Sequence, residues 1–278
     1  MTLWNNAADR KLACDELALG YTQMALPNTS SKVRALGLAI TSANVVGDLL
    51  NPLNDVISEF EQEWGSTQYR RDLKDCLHDL LLYYFRGRGN PNDQSTVGSV
   101  IPNLEARRKT EAILRKLANL LSGQADLESL WLQTCVIYLM AIEGTFDQTL
   151  RVLFFLAKLA DGTPISYANP HSKTILNLQS EFTQIRIISN PSVIFEGYSN
   201  RLRNSIAHSN MAYEAATQTM TFEDRNSRTG NVTWGPVNMT YPQLKDDYYG
   251  KIEDVNTYLS FFFGIIRARD LVLARGVP

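Results

Sequence analysis

Between Gln133 and Lys158 the chain reads QTCVIYLMAIEGTFDQTLRVLFFLAK, and this stretch constrains the fold more than any other. It is apolar around most of its helical circumference, so it has to be buried. Burying it demands a shell of further elements. A chain of 278 residues that is 44% hydrophobic can supply that shell. The stretch is not uniformly apolar, however. Glu143, Asp147 and Arg151 recur at every fourth position and form one polar line. Together with Lys158 they are too many charges for a membrane span. A buried carboxylate is costly unless a cation or a hydrogen-bond donor meets it. The line therefore has two readings: it faces a functional helix, with Glu143 or Asp147 holding a basic residue there, or it is a solvated stripe with an internal Asp147–Arg151 pair.

Helical periodicity also marks residues 6–25 and 31–50, with LPNTSS (26–31) as the break and a serine cap between them. Pro52 after Asn51 reads as the entry to a helix over 51–64. Residues 68–86 form an amphipathic helix, 87–103 a turn-rich loop or linker, and 104–122 a basic helix. From Asp126 a long helix runs to about Lys158, and DGTPISYANPHS (161–172) ends it. Helices are expected at 173–189 and 192–208, split by Pro191, with Ser189 or Asn190 as cap. The pattern then changes to alternation, with Thr, Met and Phe leading into NSRTGN and a return through Val232, Thr233 and Trp234. That predicts a β-hairpin over 216–241. A helix over roughly 242–272 closes the chain. The expected fold class is all-α, a mainly helical bundle with one β-hairpin inserted before the C-terminal helix. The expected division is an N-terminal helical region over 1–125 and a helical domain over 126–278.

Composition narrows the function classes. A net charge of −2 argues against general polyanion binding and leaves room for local basic patches. One candidate patch runs from Arg86 to Lys116 through Arg88, Arg107, Arg108, Lys109 and Arg115, outnumbering Asp93, Glu105 and Glu111. Such a patch could guide an RNA backbone, although a charge run is more often a solvated helix face. Arg225, Arg228 and Trp234 at the hairpin are a second candidate, with the tryptophan available either for base stacking or for packing. Cys14, Cys76 and Cys135 are single and widely spaced, fitting neither a disulfide framework nor a zinc site, which suggests a reducing compartment. The N-terminus lacks a basic segment followed by an apolar run, so neither a secretory leader nor membrane association is expected and the location is expected to be cytoplasmic. No nucleotide-binding glycine loop or paired-histidine zinc motif occurs, so no metal or cofactor is expected. His78 and His171 have no companions at a chemical spacing and read as structural.

The third histidine is different. RLRNSIAHSN (201–210) gathers Arg201, Arg203, Asn204, Ser205 and His208. On a helix turning about 100° per residue, Asn204 and His208 share a face, so the amide can meet the imidazole. Arg203 and His208 stand roughly 140° apart around the axis. They converge through the long arginine side chain, through an end to the helix, or through a second copy of the site. With no break before His208, a paired site across two chains is favoured. An imidazole with an ordinary pKa near 6.5 moves protons at cellular pH, and a guanidinium matches phosphate oxygens with a planar fork. Those two groups are sufficient to cut RNA without a metal.

RNSIAH, residues 203–208, resembles the R-x4-H signature of HEPN domains in the variant with Asn after the Arg. The resemblance covers roughly residues 126–278, and the 216–241 hairpin departs from a minimal four-helix domain. It implies an α-helical bundle that dimerises and places two motifs across one cleft. It further implies a metal-independent endoribonuclease in a toxin or anti-phage role, with an antitoxin or regulatory protein as a possible partner. Arg203 and His208 are then expected to be catalytic, with Asn204 orienting His208 or the substrate and Glu143 as the acidic residue on the first helix. Asp147, Arg201 and Ser205 are expected to contact substrate. Some members carry a tyrosine two residues after the histidine, and the matching position here is Asn210, so control through that tyrosine is not expected. The alternative implied by the same resemblance is a non-catalytic module binding RNA, nucleotide or a protein. A plain helical scaffold is the third reading.

Overall fold

In a computed structural model of the chain, residues 26–42, 47–65, 67–85, 116, 126–166, 168–226 and 228–274 are described, with the backbone alone for 40–42, 47–50, 85 and 265–274. The fold is mainly α with one small antiparallel sheet. The chain divides into two compact units, one of Met1–Glu105 with Leu259–Pro278 and one of Ala106–Tyr258. The last helix begins in the second unit and finishes in the first, whereas the expected division is a single boundary near residue 126. The expected helices over 6–25 and 104–122 and the loop over 87–103 lie outside the described residues, apart from Lys116.

The first unit contains α1 (Pro27–Ser42), α2 (Gly47–Trp64) and α3 (Gln68–Phe85). Pro52 does not open a helix as expected but lies inside α2, five residues from its start. Val56, Phe60, Leu73, Leu77 and Leu80 are fully buried, and Phe60 stacks on Trp64 with centroids 5.4 Å apart and on Phe261 at 3.8 Å. Glu63 caps α1 from outside, accepting hydrogen bonds from Asn28 N at 2.9 Å and Thr29 N at 2.7 Å. These are two of the unpaired N–H groups that every helix start exposes.

The second unit is built on the long apolar stretch. Asp126 caps α4 (Leu127–Ala141) by accepting from Ser129 N at 2.8 Å. A π-helical turn over Ile142–Phe146 joins α4 to α5 (Asp147–Ala160). By length and composition this joined helix could cross a membrane, and 44% of its most apolar window is buried within the protein. Trp131, Cys135, Tyr138, Phe146, Leu150 and Phe154 line its buried side. After α6 (Ala168–His171) come α7 (Ile175–Phe182), a 3-10 turn over Pro191–Phe195 and α8 (Asn200–Ala207). Phe182 and Phe195 carry this segment into the core, their rings meeting at 5.5 Å.

The two helices expected at 173–189 and 192–208 are thus shorter and interrupted. Asn190 adopts a left-handed backbone with φ of 44° and makes no side-chain cap; its Oδ1 accepts from Ser192 Oγ at 2.7 Å. The cap of α8 is Ser199, whose Oγ accepts from Leu202 N at 3.2 Å. Where one hairpin is expected, the sheet has three antiparallel strands in sequence order: β1 (Met211–Glu214), β2 (Thr219–Arg225) and β3 (Val232–Thr240). Met220 and Phe222 point inward from β2, and Phe222 meets Trp131 at 6.1 Å. A second π-helical segment, Gln243–Gly250, leads into α9 (Lys251–Ala274).

Burial raises the Glu63 carboxyl pKa, but the backbone N–H groups of Thr29 and Asn28 more than offset this and hold it below the ordinary glutamate value. A carboxyl lowered on folding stabilises the fold above its unfolded pKa and loses that contribution as pH falls through the folded one. Thermal melts of Glu63→Gln against wild type should show a lower Tm for the variant at neutral pH. The gap should close as the pH is taken below the ordinary glutamate range.

Candidate functional site

The motif helix α8 is short because both its ends are fixed. At its N-terminal side the buried hydroxyl of Tyr138, on α4, donates to the Gly197 carbonyl at 3.0 Å and accepts from Ser199 N at 3.3 Å. Burial pushes that hydroxyl pKa far above the usual tyrosine range, so it stays protonated and keeps donating. Gly197 itself has no room for a side chain, since a Cβ would stand 2.6 Å from the Tyr248 carbonyl oxygen. At its C-terminal side the helix stops at His208, the C-cap, and Ser209 turns left-handed with φ of 55°. Leu202, Ser205 and Ile206 face the core, which fixes the direction of every other side chain on the helix.

Arg203 lies on the outward side, half-exposed. One end of its guanidinium pairs with Glu143, and Nη1 donates to Asn204 Oδ1 at 3.0 Å. The expected acidic residue on the long helix thus reaches the motif arginine. Glu143 stands in the π turn between α4 and α5. The other end of the polar line turns elsewhere. Asp147 receives Arg151 Nη2 at 2.7 Å and Nε at 2.9 Å, while Arg151 Nη1 donates to the carbonyls of Pro170 and, at 2.9 Å, Lys173. Asp147, expected to contact substrate, is engaged by Arg151, which braces α5 to α6 and the residue Lys173 beyond it. Its carboxylate takes a bidentate arginine and a further bond from Gln148 Nε2 at 3.2 Å.

Three further expectations change. Ser205 is fully buried, with no hydrogen-bond partner for its Oγ, so it faces the core and not a substrate. Asn204 does not turn to the imidazole. Its amide spans from Arg203 to Asp224, to which Nδ2 donates at 3.4 Å. Arg201 is half-exposed and gives Nη1 to Asp224 Oδ2 at 3.0 Å and to Thr233 Oγ1 at 3.2 Å. His208 is exposed, and among the described residues its imidazole makes no hydrogen bond or ion pair. The single chain thus displays Arg203 and His208 on one helix without joining them.

Two groups near Arg203 were missing from the sequence reading. Tyr198 stacks on Phe146 at 6.1 Å and donates to Asn200 Oδ1 at 3.2 Å. Burial raises its hydroxyl pKa, Arg203 works against that and Asp147 adds to it, so both charges act on this ring. Asp224 is the second. Met220, Phe222 and Asp224 alternate in TMTFEDR, and a carboxylate on the apolar side of a strand is the signal that could have found it.

Away from this cluster, the remaining candidates fall back. Burial pushes the Cys76 and Cys135 thiols up to about 12, which leaves them unreactive at neutral pH. Arg225 is tied to Glu223 and Trp234 is half-buried. The Arg86–Lys116 patch and Cys14 lie outside the described residues, except that Lys116 is helical and exposed. Compared with family models, with curated proteins and with solved structures, the chain matches none.

Because Tyr138 anchors two backbone groups at the start of α8, Tyr138→Phe should lower unfolding stability by about 1–3 kcal/mol. Urea unfolding with a fixed m-value measures this; an unchanged midpoint would mean that the hydroxyl does not hold the helix.

Proposed function

We propose that this chain is a metal-independent endoribonuclease of the HEPN type, acting in the cytoplasm as a homodimer in a toxin or anti-phage role. In this reading residues 126–278 carry a HEPN-like helical bundle with the sheet inserted before the last helix. The observation that carries the proposal is Arg203, held on the surface between Glu143 and Asn204 while the same eight-residue helix ends on an exposed His208. An arginine fixed in direction but still partly open is suited to receive a phosphate.

The chemistry needs only these groups. The His208 imidazole takes the proton from a ribose 2′-OH, and that oxygen attacks the adjacent phosphorus. The bond to the 5′-oxygen breaks, and the leaving oxygen takes up a proton. Arg203 stabilises the extra negative charge on the phosphoryl oxygens. The products are a 2′,3′-cyclic phosphate and a 5′-OH. In a dimer, Arg203 of one chain and His208 of the other meet across the cleft. Glu143 and Asn204 fix Arg203, and Arg201 adds positive charge beside it.

A non-catalytic module that binds RNA, nucleotide or a protein partner is the second reading. The observation that favours it is the lack of any bond between His208 and Arg203 or Asn204 within the described residues of one chain.

Purified protein incubated with mixed RNA in EDTA separates the two. Wild type should cut, Arg203→Ala should lose about 10²–10³-fold and His208→Ala about 10²–10⁴-fold. Absence of cutting by a folded dimer would favour the binding module. Cutting that persists in both variants would remove Arg203 and His208 from the site.

A further inference from the structure

Asp224 is a carboxylate with 5% of its surface exposed, on the inward side of β2. A charge so placed has to be met by a cation and by hydrogen bonds. Both reach the same oxygen: Arg201 Nη1 at 3.0 Å and Asn204 Nδ2 at 3.4 Å converge on Oδ2. A carboxylate only accepts, so Asn204 has to turn its NH2 toward β2. Its carbonyl oxygen then points the other way, where Arg203 Nη1 lies 3.0 Å off. A guanidinium only donates, so this is the one amide orientation it can use. With the amide reversed, donor would face donor at Arg203. The polarity therefore runs in one direction, from Asp224 through Asn204 to Arg203.

We infer that Asp224 is a positioning residue for Arg203, acting through the Asn204 amide, with Arg201 as the counter-charge that lets the carboxylate be buried. Its effect on rate rests on the ribonuclease reading; its effect on the order of Arg203 does not. The strand contributes to the site without touching it. A carboxylate that merely pinned β2 onto α8 would leave Arg203 unchanged when replaced by an apolar side chain of similar size.

The test follows the Arg203 guanidinium Nη–H resonances by nitrogen-15 NMR, assigned through Arg203→Lys, in the full chain. Asp224→Leu, close in size and without an acceptor for the Asn204 amide, should speed their exchange with water about tenfold, as expected for losing a hydrogen bond to a charged group. Asp224→Asn keeps a carbonyl oxygen that can take the place of Oδ2, and should leave exchange slow. If Asp224→Leu does not fold, Asn204→Asp with Asp224→Asn is compared with Asn204→Asp alone, both carrying a carboxylate beside Arg203: slower exchange in the pair supports the inference and equal exchange overturns it. Unchanged exchange in a folded Asp224→Leu also overturns it. Where wild type cuts RNA, Asp224→Leu should lower kcat about tenfold with little change in KM, and should add nothing to Asn204→Ala. Additive losses would mean that Asp224 acts independently of the amide. If wild type does not cut, the ribonuclease reading fails while the Arg203 resonance still decides the role of Asp224.

Discussion

The apolar helix over Leu127–Ala160 is what the second unit is built on, and its polar line divides between two tasks. Trp131, Cys135, Tyr138, Phe146, Leu150 and Phe154 carry it into the core. Glu143, exposed in the π turn, reaches Arg203, while Asp147 closes onto Arg151, which donates to the backbone at Pro170 and Lys173. π turns are rare within helices and recur at functional sites.

The rest of the cluster follows from fixing one short helix. Tyr138 ties down its start, Gly197 admits the close approach of the segment around Tyr248, and Ser199 supplies the cap. Three core-facing residues, Leu202, Ser205 and Ile206, leave Arg203 and Asn204 on the half-exposed side. The sheet then adds Asp224 behind Asn204. Arg203 is consequently fixed from two directions by residues on different elements, the long helix and, through Asn204, the strand. Fixing a charged group before substrate arrives is what makes electrostatic stabilisation effective, since little reorganisation remains to be done.

Much of this was legible in the sequence, and what was missed has identifiable causes. The buried helix needed only its apolar circumference to be read. The pairing of Glu143 with Arg203 was one of two readings of the polar line, although Glu143 is exposed and no burial cost required a partner for it. The π turn was not legible, since periodicity assumes a constant pitch and IEGTF carries no signal that interrupts it. Ser205 could have been placed correctly, because Leu202, Ser205 and Ile206 recur at helical spacing on one face. Asp224 could have been found from its alternation with Met220 and Phe222, but that face counts only once strand β2 is seen to pack on α8. The bonds from Tyr138 to Gly197 and Ser199 join residues about sixty positions apart, and no local pattern encodes them. The interruption between Pro191 and Ser199 depended on Asn190 adopting a left-handed backbone, which asparagine tolerates without requiring.

One chain displays Arg203 and His208 on the same short helix and leaves them unjoined, and the proposed ribonuclease needs two chains to complete its site. Mixing Arg203→Ala chains with His208→Ala chains tests this most directly. Each variant alone should be inactive on RNA. After unfolding and refolding together, the cleft of the mixed dimer holds one Arg203–His208 pair with both substitutions and one with neither. The account predicts that RNA cleavage returns in the mixture and scales with the heterodimer fraction measured by native mass spectrometry. Heterodimers that form in full yet remain inactive, beside an active wild type, would contradict it.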